Sequence, residues 1–500
     1  SDASGFATIS QYMQDFSLDK SYPVAYRAVV VHLSSDLSSA RAGCGLVGSP
    51  DTAVATMSAY PEYTGTYSSV AGTVVVKETD TGIAITGTIT GVETSATGGA
   101  HVHVGVTCAT TDDPGGHYYT GMTTDPWTTT YTSDSNGVAT LDLTLSDFTL
   151  DGSYPVAGRV FVLHNSSGNR IACGVLTPTT GEIVSVTSYP DYTGSYTSVA
   201  ATVLIEQTYT GITLKGTIGN TAPSVTAGVH VHSGFTCDST VDNNGDSAVA
   251  TSVGGHFFSG MVSDPWTTTY TSDANGYATV DFSLDGFSTK SSYGLPVSYR
   301  TFVIHDSSDR IGCGVVGDPS TAYATMAMYP SYSGTYSSVE GIIAVTETDS
   351  GITLFGTLAG LETSATGGIH IHTGVTCATT DDPGGHYYTG MTSDPWTTTY
   401  TSNSAGIASV IFDVSSFTLT GSYPVAGRVI VVHDSSGARI ACGQLMSTPG
   451  EVVTFGKYPS YAGSYDVAGT AVVVPTMDGI QITATLAGLE TSATGGFHIH

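Results

Sequence analysis

The stretch Gly99-Ala-His-Val-His-Val-Gly-Val-Thr-Cys108 decides the fold of this chain of 500 residues. Two histidines alternate with a valine, and side chains two residues apart in an extended strand emerge on the same face. His101 and His103 therefore point the same way and form half of a metal site. A third histidine, His117, lies at the far end of the following loop, and a fourth, His164, ends a later apolar run.

The same pattern recurs along the chain, which is the sign of an internal repeat. Each complete copy has four histidines, an arginine and two cysteines. The three sets are His101, His103, Cys108, His117, His164, Arg170 and Cys173; His230, His232, Cys237, His256, His305, Arg310 and Cys313; and His370, His372, Cys377, His386, His433, Arg439 and Cys442. The tail of another copy contributes His32, Arg41 and Cys44, and the head of a further copy contributes His498 and His500. These sets contain all 15 histidines of the chain.

The spacing between the second cysteines of successive copies gives the length of the repeat. Cys44, Cys173, Cys313 and Cys442 are separated by 129, 140 and 129 residues, which are lengths typical of a domain with its own core. Tyrosine-rich junctions such as Tyr60-Pro-Glu-Tyr-Thr-Gly-Thr-Tyr67 mark the predicted boundaries. The junction indicates either the start of a strand, since Pro keeps the preceding residue extended, or rings that pack neighbouring units together.

We predict five segments on this basis. They are the C-terminal part of one domain at 1–58, complete domains at 59–187, 188–327 and 328–456, and the N-terminal part of a further domain at 457–500. The domain at 188–327 carries a loop insertion between His232 and His256.

Within a unit the pattern is β throughout. The run Thr73-Val-Val-Val-Lys-Glu-Thr79 and the run from Ile83 to Ile89 are rich in β-branched residues and flank a Thr-Gly turn, which is typical of a hairpin. Asn136-Gly137 supplies the positive φ that tight hairpin turns need. Short strands at regular spacing predict an all-β chain, organised as a tandem array of Greek-key barrels or sandwiches.

The bulk composition restricts the partners and the compartment. A net charge of −29 with only 13 basic residues argues against nucleic acid or an anionic membrane as a partner. No apolar run approaches the ~20 residues that a spanning helix needs. The cysteines fall into one pair per complete unit, which indicates an oxidising compartment. Together with the acidic surface composition, this predicts an extracellular or cell-surface location.

The recurring histidines point to a metal. Imidazole suits copper, zinc, iron or nickel, and four imidazoles without a carboxylate or thiolate favour copper, whose two oxidation states both accept nitrogen ligands. The alternative is that the histidines only make hydrogen bonds in the core or on the surface. That reading does not explain why histidine recurs at all these positions and nowhere else.

The segments H-V-H, G-G-H, V-x-H and R-I-A-C-G resemble the copper half of the copper/zinc superoxide dismutase family, and the similarity covers essentially every unit. The resemblance implies an eight-stranded Greek-key barrel of the copper/zinc superoxide dismutase type, with the histidines as copper ligands. It also implies disulfides joining Cys108 to Cys173, Cys237 to Cys313 and Cys377 to Cys442. By the same resemblance the arginines that guide the anion would be Arg170, Arg310, Arg439 and, in the opening fragment, Arg41.

Two departures from the bimetallic members of that family matter. No histidine lies between His117 and His164, so the zinc ligands are missing, and the long charged loop before the arginine is absent. Both features resemble the copper-only branch and the tandem superoxide dismutase-repeat proteins, so we expect copper and no zinc. In that branch a carboxylate takes over from zinc in orienting the third histidine. The candidates, each in a D-P-W motif, are Asp125, Asp264 and Asp394; a structural turn before a buried Trp is the alternative.

Two functions are therefore carried forward. The first is a copper-only superoxide dismutase that converts superoxide to dioxygen and hydrogen peroxide, with other copies of the chain as partners in a head-to-tail or filamentous array. The second is a structural or adhesive scaffold of stacked β domains whose metal sites are vestigial, stored or stabilising. A second arginine, such as Arg159, lies five residues before the strand histidine, and we expect it to be a structural ion-pair or carbonyl partner.

Overall fold

The computed structural model describes residues 24, 27–32, 41–46, 50–190, 192–237, 253–258, 260–289, 294–307, 309–336, 338–348, 350–448, 451–455, 467–476 and 479–489. All the regular elements in these ranges are strands. The all-β prediction is therefore confirmed. The loop insertion of the second domain falls at 238–252, outside the described residues.

The first barrel has eight main strands and one short one. The strands of the opening fragment and of this barrel are β1 (Ala28–His32), β2 (Arg41–Leu46), β3 (Thr52–Ala59), β4 (Ala71–Thr79), β5 (Gly82–Thr90), β6 (Thr97–His103), β7 (Thr130–Thr132), β8 (Ala139–Ser146), β9 (Val160–His164), β10 (Arg170–Val175) and β11 (Thr177–Pro178). The sheet order is β7-β6-β9-β10-β3-β4-β5-β8, with β11 on β3. A bridge between Ser133 and Ala139 brings the edge strands β7 and β8 together. Because the β5–β6 and β8–β9 connections cross between non-neighbouring strands, the topology is of the Greek-key type.

The second and third barrels repeat this order. The second has β12 (Glu182–Ser188), β13 (Ala200–Gln207), β14 (Gly211–Gly219), β15 (Thr226–His232), β16 (Thr269–Thr271), β17 (Ala278–Asp285), β18 (Phe287–Ser288), β19 (Leu295–Pro296), β20 (Thr301–Asp306) and β21 (Asp309–Val315). The third has β22 (Thr321–Met328), β23 (Glu340–Thr348), β24 (Gly351–Ala359), β25 (Thr366–His372), β26 (Thr399–Thr401), β27 (Ala408–Ser415), β28 (Val429–His433), β29 (Arg439–Gln444) and β30 (Met446–Ser447). The closing fragment has β31 (Glu451–Phe455), β32 (Ala468–Thr476) and β33 (Gly479–Ala487). Three near-closed antiparallel barrels in tandem confirm the predicted fold class.

Strand alternation places the core of each barrel. In β6 the side chains of Ala100 and Val102 are fully buried and belong to the core cluster of the first barrel. The histidines between and beside them necessarily face the other side of the strand. The same β6 pairs with β9, so His164 at the end of β9 reaches the same side of the sheet as the H-x-H pair.

The tyrosine-rich segment is a loop within one barrel. Strand β3 ends at Ala59 and pairs with both β4 and β10, so the segment after it connects the first two strands of the barrel. Tyr60 is buried, and its hydroxyl donates to the carbonyl of Thr111 (2.7 Å). Tyr63 and Tyr67 pack against the core of the same barrel. These three rings therefore pack within their own barrel, and none of these contacts reaches a neighbouring unit.

The described residues form two compact units. The first contains the described residues up to Ser185 together with Ser198–Thr226 and Tyr270–Thr289. The second contains Val186–Thr197, the described residues of Ala227–Thr269 and those from 294 onwards.

Within the first compact unit, β4 and β5 pack against β13 and β14 of the next barrel. Thr73 bonds to Thr217 (3.2 Å) and Thr88 bonds to Thr202 (3.0 Å), hydroxyl to hydroxyl, and all four residues are buried. In the repeat Thr73 corresponds to Thr202 and Thr88 to Thr217, so the contact is reciprocal, as in a two-fold-related pair. Within the second compact unit, Thr470 of β32 donates to Thr357 of β24 (3.2 Å) in the corresponding way.

Several predicted residues lie in the fragments. The backbones of His32, Arg41 and Cys44 belong to the paired strands β1 and β2, and their side chains fall outside the described part of the structure. His498 and His500 lie outside the described residues altogether.

Candidate metal centre

Each barrel brings its four histidines together. In the first barrel His101 and His103 come from β6, His164 comes from the end of β9, and His117 comes from the loop, where it forms a bridge with His103. One ring nitrogen of each of the four lies within 4.8 Å of the others. Ligands about 2 Å from a shared ion lie at most roughly 4 Å apart, so a small contraction would complete the coordination.

The second and third barrels hold the same arrangement. Among the described residues, the metal-ligand groups are three and consist entirely of histidine: His101, His103, His117 and His164; His230, His232, His256 and His305; His370, His372, His386 and His433. The structure thus brings together all the histidines that the sequence placed in the three complete copies.

In the first centre, each histidine ring uses one of its two nitrogens in a hydrogen bond to the protein. His101 uses Nε2 on the carbonyl of Thr129 (3.0 Å). The other three rings donate through Nδ1. His103 donates to Gly115 O (2.9 Å), His117 to Asp125 Oδ2 (2.7 Å) and His164 to Gly168 O (3.0 Å). Because each acceptor is a carbonyl or carboxylate oxygen, that nitrogen carries the proton and the other nitrogen has a lone pair for a metal.

The remaining nitrogens face one another. Nε2 of His103 lies 3.4 Å from Nε2 of His164. Within the described residues, Nδ1 of His101, His230 and His370 is buried with no hydrogen-bond partner. A buried nitrogen without a partner is costly unless something occupies its lone pair. The donor set of Nδ1 from the first histidine and Nε2 from the others therefore fits a metal ion.

Burial keeps the two rings of each H-x-H pair neutral, as metal ligation requires. Desolvation, together with smaller contributions from Arg170 and the neighbouring histidines, lowers the pKa of His103 to about 3. Desolvation, with the nearby His117, lowers the pKa of His101 to about 4. The equivalent His232 and His372 have pKa values lowered to about 3 and about 2 by the same burial.

The D-P-W aspartate touches the third histidine. Asp125 accepts from His117 Nδ1 through Oδ2 and from the backbone N–H of Trp127 through Oδ1 (2.9 Å). The same pair of contacts recurs in the other barrels, at 2.6 Å for His256 and Asp264 and 2.7 Å for His386 and Asp394. The carboxylate thus contacts the histidine and shapes the turn before the buried Trp at the same time.

The arginine of the R-x-x-C segment lies beside the centre. Arg170 pairs across the strands with His164 and donates to Tyr60 Oη (2.8 Å) and to Gly115 O (2.5 Å). The carbonyl of Gly115 therefore accepts from both Arg170 and His103. Arg310 and Arg439 make the matching contacts with Tyr189 and Gly254 and with Tyr329 and Gly384. The tyrosine partner of this arginine was not found by sequence reasoning, although its place in the recurring junction could have signalled it.

The second arginine has a structural role. Arg159 donates to the carbonyls of Pro155 (2.8 Å) and Val104 (3.0 Å) and lies 3.4 Å from the centre of the Tyr118 ring. Arg428 makes the same contacts with Pro424, Thr373 and Tyr387. These contacts agree with the carbonyl-partner interpretation.

Two further groups of residues shape the centre and were missed in the sequence. The carbonyl of Thr129 orients His101, and Thr268 and Thr398 act in the same way on His230 and His370. A Cβ on Gly99 would lie 2.5 Å from Cε1 of His101, and Gly228 and Gly368 show the same close approach to their histidines. Glycine two residues before the H-x-H pair was visible in all three copies and could have signalled this contact.

A disulfide ties the loop to the barrel in every complete unit. The structure joins Cys108 to Cys173, Cys237 to Cys313 and Cys377 to Cys442. Cys173 lies in β10, three residues beyond Arg170. The bond therefore links the loop that carries His117 to the strand that carries the arginine, and three such bonds indicate an oxidising environment.

No protein-family model matches the chain, and no curated protein matches it. Within the described residues there is no helix long and apolar enough to cross a membrane.

Proposed function

We propose that each complete barrel is a copper-only superoxide dismutase-like unit, which disproportionates superoxide to dioxygen and hydrogen peroxide. The observation that carries the proposal is the donor set: four imidazoles per barrel, each with one nitrogen held by the protein and the other turned towards the same point. Four nitrogen donors without carboxylate or thiolate favour copper over zinc.

The protein's part in this chemistry is binding and orientation. Bound copper would supply the reversible one-electron change that the reaction requires. The carbonyls of Thr129, Gly115 and Gly168 and the carboxylate of Asp125 fix the ring orientation and the tautomer of the four histidines. Because these contacts already hold the rings in place, the protein would need little reorganisation when a bound copper ion changes its charge.

Access of the substrate favours a small anion. His103 is 1% exposed, whereas the side chain of His117 is 27% exposed, so the centre opens on the His117 side. Arg170 is partly buried next to the same centre, where a guanidinium attracts an anion at short range. At physiological ionic strength, salt screens the interaction between charges that lie more than ~8 Å apart. Most of the net charge of −29 lies farther than this from the centre, so the local arginine has more influence on an approaching anion.

The second candidate function is a scaffold built from the barrels, in an extended or filamentous assembly. The buried threonine contacts between neighbouring barrels support it, because Thr73, Thr217, Thr88 and Thr202 form a reciprocal interface that no catalytic role explains. The two functions are compatible in one chain. The disulfides support a secreted or cell-surface location for either of them.

Copper loading followed by metal analysis and pulse radiolysis tests the enzymatic proposal. We expect three copper ions per chain at the described centres and superoxide decay that scales with copper content. The triple variant His117→Ala, His256→Ala and His386→Ala should lose both, while substituting the exposed Thr140 as a control should lose neither. The proposal is contradicted if the correctly folded chain takes up no copper, or if the triple variant turns over superoxide as fast as the unmodified chain. The scaffold function would then remain.

A further inference from the structure

The turn between β9 and β10 of the first barrel carries a sequence motif that the metal centre does not use. It reads Asn165-Ser-Ser167 and follows directly on His164. Asn-x-Ser and Asn-x-Thr are the acceptor sequences for N-linked glycosylation, and this is the only such sequence in the chain. The matching positions of the other two complete barrels hold Asp306 and Asp434, whose side chains have no amide nitrogen that could carry a sugar.

The turn holds the side chain of Asn165 by its oxygen. Oδ1 accepts from the backbone N–H of Ser167 (3.1 Å) and from that of Asn169 (2.9 Å). The first of these bonds forms an Asx-turn, which brings the amide of the asparagine towards the serine of the acceptor sequence. Nδ2, the atom that would carry the sugar, makes no hydrogen bond to the described residues. Bonds accepted by Oδ1 also polarise the amide, so a proton on Nδ2 is easier to remove.

The geometry of the acceptor is local. Two backbone bonds complete the turn, from Asn165 N to Asn169 O (2.9 Å) and from Gly168 N to Asn165 O (2.9 Å). All the bonds that shape it therefore lie within residues 165–169. Such a turn can form before the barrel does, while the chain is still accessible to a modifying enzyme.

The folded barrel leaves room for a glycan at this turn. Residues 166–169 are exposed, and Asn165 is half-buried. In the shorter turn of the second barrel, Ser307 and Asp309 are exposed as well. A glycan is bulky and hydrophilic, so it needs a surface position of this kind.

The contacts between barrels do not cover the turn, as the third barrel shows. Within the second compact unit this barrel touches a neighbour at two places. A Cβ on Gly427 would lie 3.6 Å from Phe235 Cβ, and Thr357 accepts from Thr470. Residues 435–438, which match the turn of the first barrel, are nevertheless exposed. The exposure of the turn therefore comes from its place within the barrel, and both kinds of contact leave it open.

We propose that Asn165 is N-glycosylated, so that the first barrel carries a glycan beside the fourth histidine of its centre. The donor is an oligosaccharide linked to a lipid pyrophosphate. A bond forms between Nδ2 and the anomeric carbon of the first sugar, the bond from that carbon to the pyrophosphate oxygen breaks, and Nδ2 loses one proton. The disulfides indicate an oxidising compartment, which is where this transfer takes place. The proposal does not depend on whether the histidine centres bind a metal.

Asn403 provides a matched control within the same chain. It is exposed, and its Oδ1 accepts from the N–H of Ala405 (2.9 Å) and of Ile407 (3.0 Å), which is the same pattern of bonds. The residue two positions after it is alanine, so the hydroxyl that the acceptor sequence requires is missing. Asn403 and Asn165 both precede a serine, so spontaneous deamidation should affect them alike and only glycosylation should distinguish them.

Peptide mapping of the full chain secreted by eukaryotic cells tests the proposal. Enzymatic removal of N-glycans in heavy-oxygen water converts a glycosylated asparagine to an aspartate that carries the heavy atom. We expect this label at Asn165 in most molecules and only the background of deamidation at Asn403. Ser167→Ala should abolish the glycan, and Ser167→Thr should retain it, because the variants differ in the hydroxyl.

Ser167→Ala keeps the backbone N–H that bonds to Asn165 Oδ1, so its β circular dichroism and its disulfides should match those of the unmodified chain. Loss of the glycan then reports on the acceptor sequence and not on misfolding. An unmodified Asn165 in the secreted, disulfide-bonded chain overturns the proposal, as does a glycan that persists in Ser167→Ala. A glycan found only on aggregated chain also overturns it, because the exposed turn of the folded barrel should accommodate the sugar.

Discussion

His117 donates its Nδ1 proton to Oδ2 of Asp125 across 2.7 Å, and the same contact recurs in each complete barrel. The third histidine comes from a loop, whereas the other three come from strands, so it depends most on an orienting partner. Removing the partner of a metal-ligating histidine typically costs 10- to 100-fold in metal affinity or activity, as a rough range.

Asp125→Asn should therefore weaken copper binding at the first centre by about 10- to 100-fold. The amide is a weaker acceptor than the carboxylate and stabilises the Nδ1-protonated tautomer less. Calorimetric titration of the metal-free chain should then show two strong sites and one weak site. Asp113→Asn is the matched control, because Asp113 lies in the same loop and accepts from the N–H of Thr110. Three equal sites in Asp125→Asn would show that the carboxylate only shapes the turn.

Gly99 tests how tightly the backbone approaches a ligand. Gly99→Ala places a Cβ 2.5 Å from Cε1 of His101, so the ring must move and its bond to Thr129 O must lengthen. We expect copper affinity at this centre to fall by about tenfold, within the range for lost orientation of a ligand. Gly116→Ala is the control, since a Cβ there has no neighbour within 4 Å among the described atoms. Equal losses in both variants would exclude this explanation.

The grouping of the four histidines was predictable from the sequence, because strand periodicity and the register of the repeat place them. The H-x-H pair needs only a period of two, and the repeat places His117 and His164 by register. Two features could not be predicted in this way. Gly115 O accepts from both His103 and Arg170, and Thr88 meets Thr202, because residues far apart in the chain come together when the barrels close and pack.

The start of each barrel shows a related limit. The tyrosine-rich junction predicted a boundary at residue 59, yet β3 before it pairs with β4 after it. A recurring Pro and Tyr motif identifies the same place in each repeat, but it does not reveal where in the barrel that place lies. Hydrogen-bonded pairing decides that point, and pairing depends on the tertiary structure.

The disulfide should matter to the metal before it matters to the fold. Cys108 and Cys173 close a loop of 65 residues, and in the chain-entropy model such a bond stabilises a unit by ~3–5 kcal/mol. The variant Cys108→Ser with Cys173→Ser should keep its β circular dichroism at 25 °C and bind copper more weakly at the first centre only. The other two centres, with their own disulfides, serve as controls in the same molecule. Unchanged affinity at all three centres would contradict this role.

The threonine contact between barrels allows a double-mutant test. Thr88 and Thr202 bond to each other at 3.0 Å while both are buried. Thr88→Val alone leaves the Thr202 hydroxyl buried without this partner, and such a group costs about 1–3 kcal/mol. Thr202→Val alone should destabilise by a similar amount, measured by urea unfolding.

The double variant should recover most of that loss, because valine has the shape of threonine and two apolar groups then meet at the contact. The third barrel already shows that an apolar residue is tolerated here: Ile342 occupies the place of Thr73 and is fully buried. Thr140→Val, on an exposed position of β8, is the control for the substitution itself. If the two single losses simply add in the double variant, the hydroxyls stabilise the barrels independently and the contact between them contributes nothing.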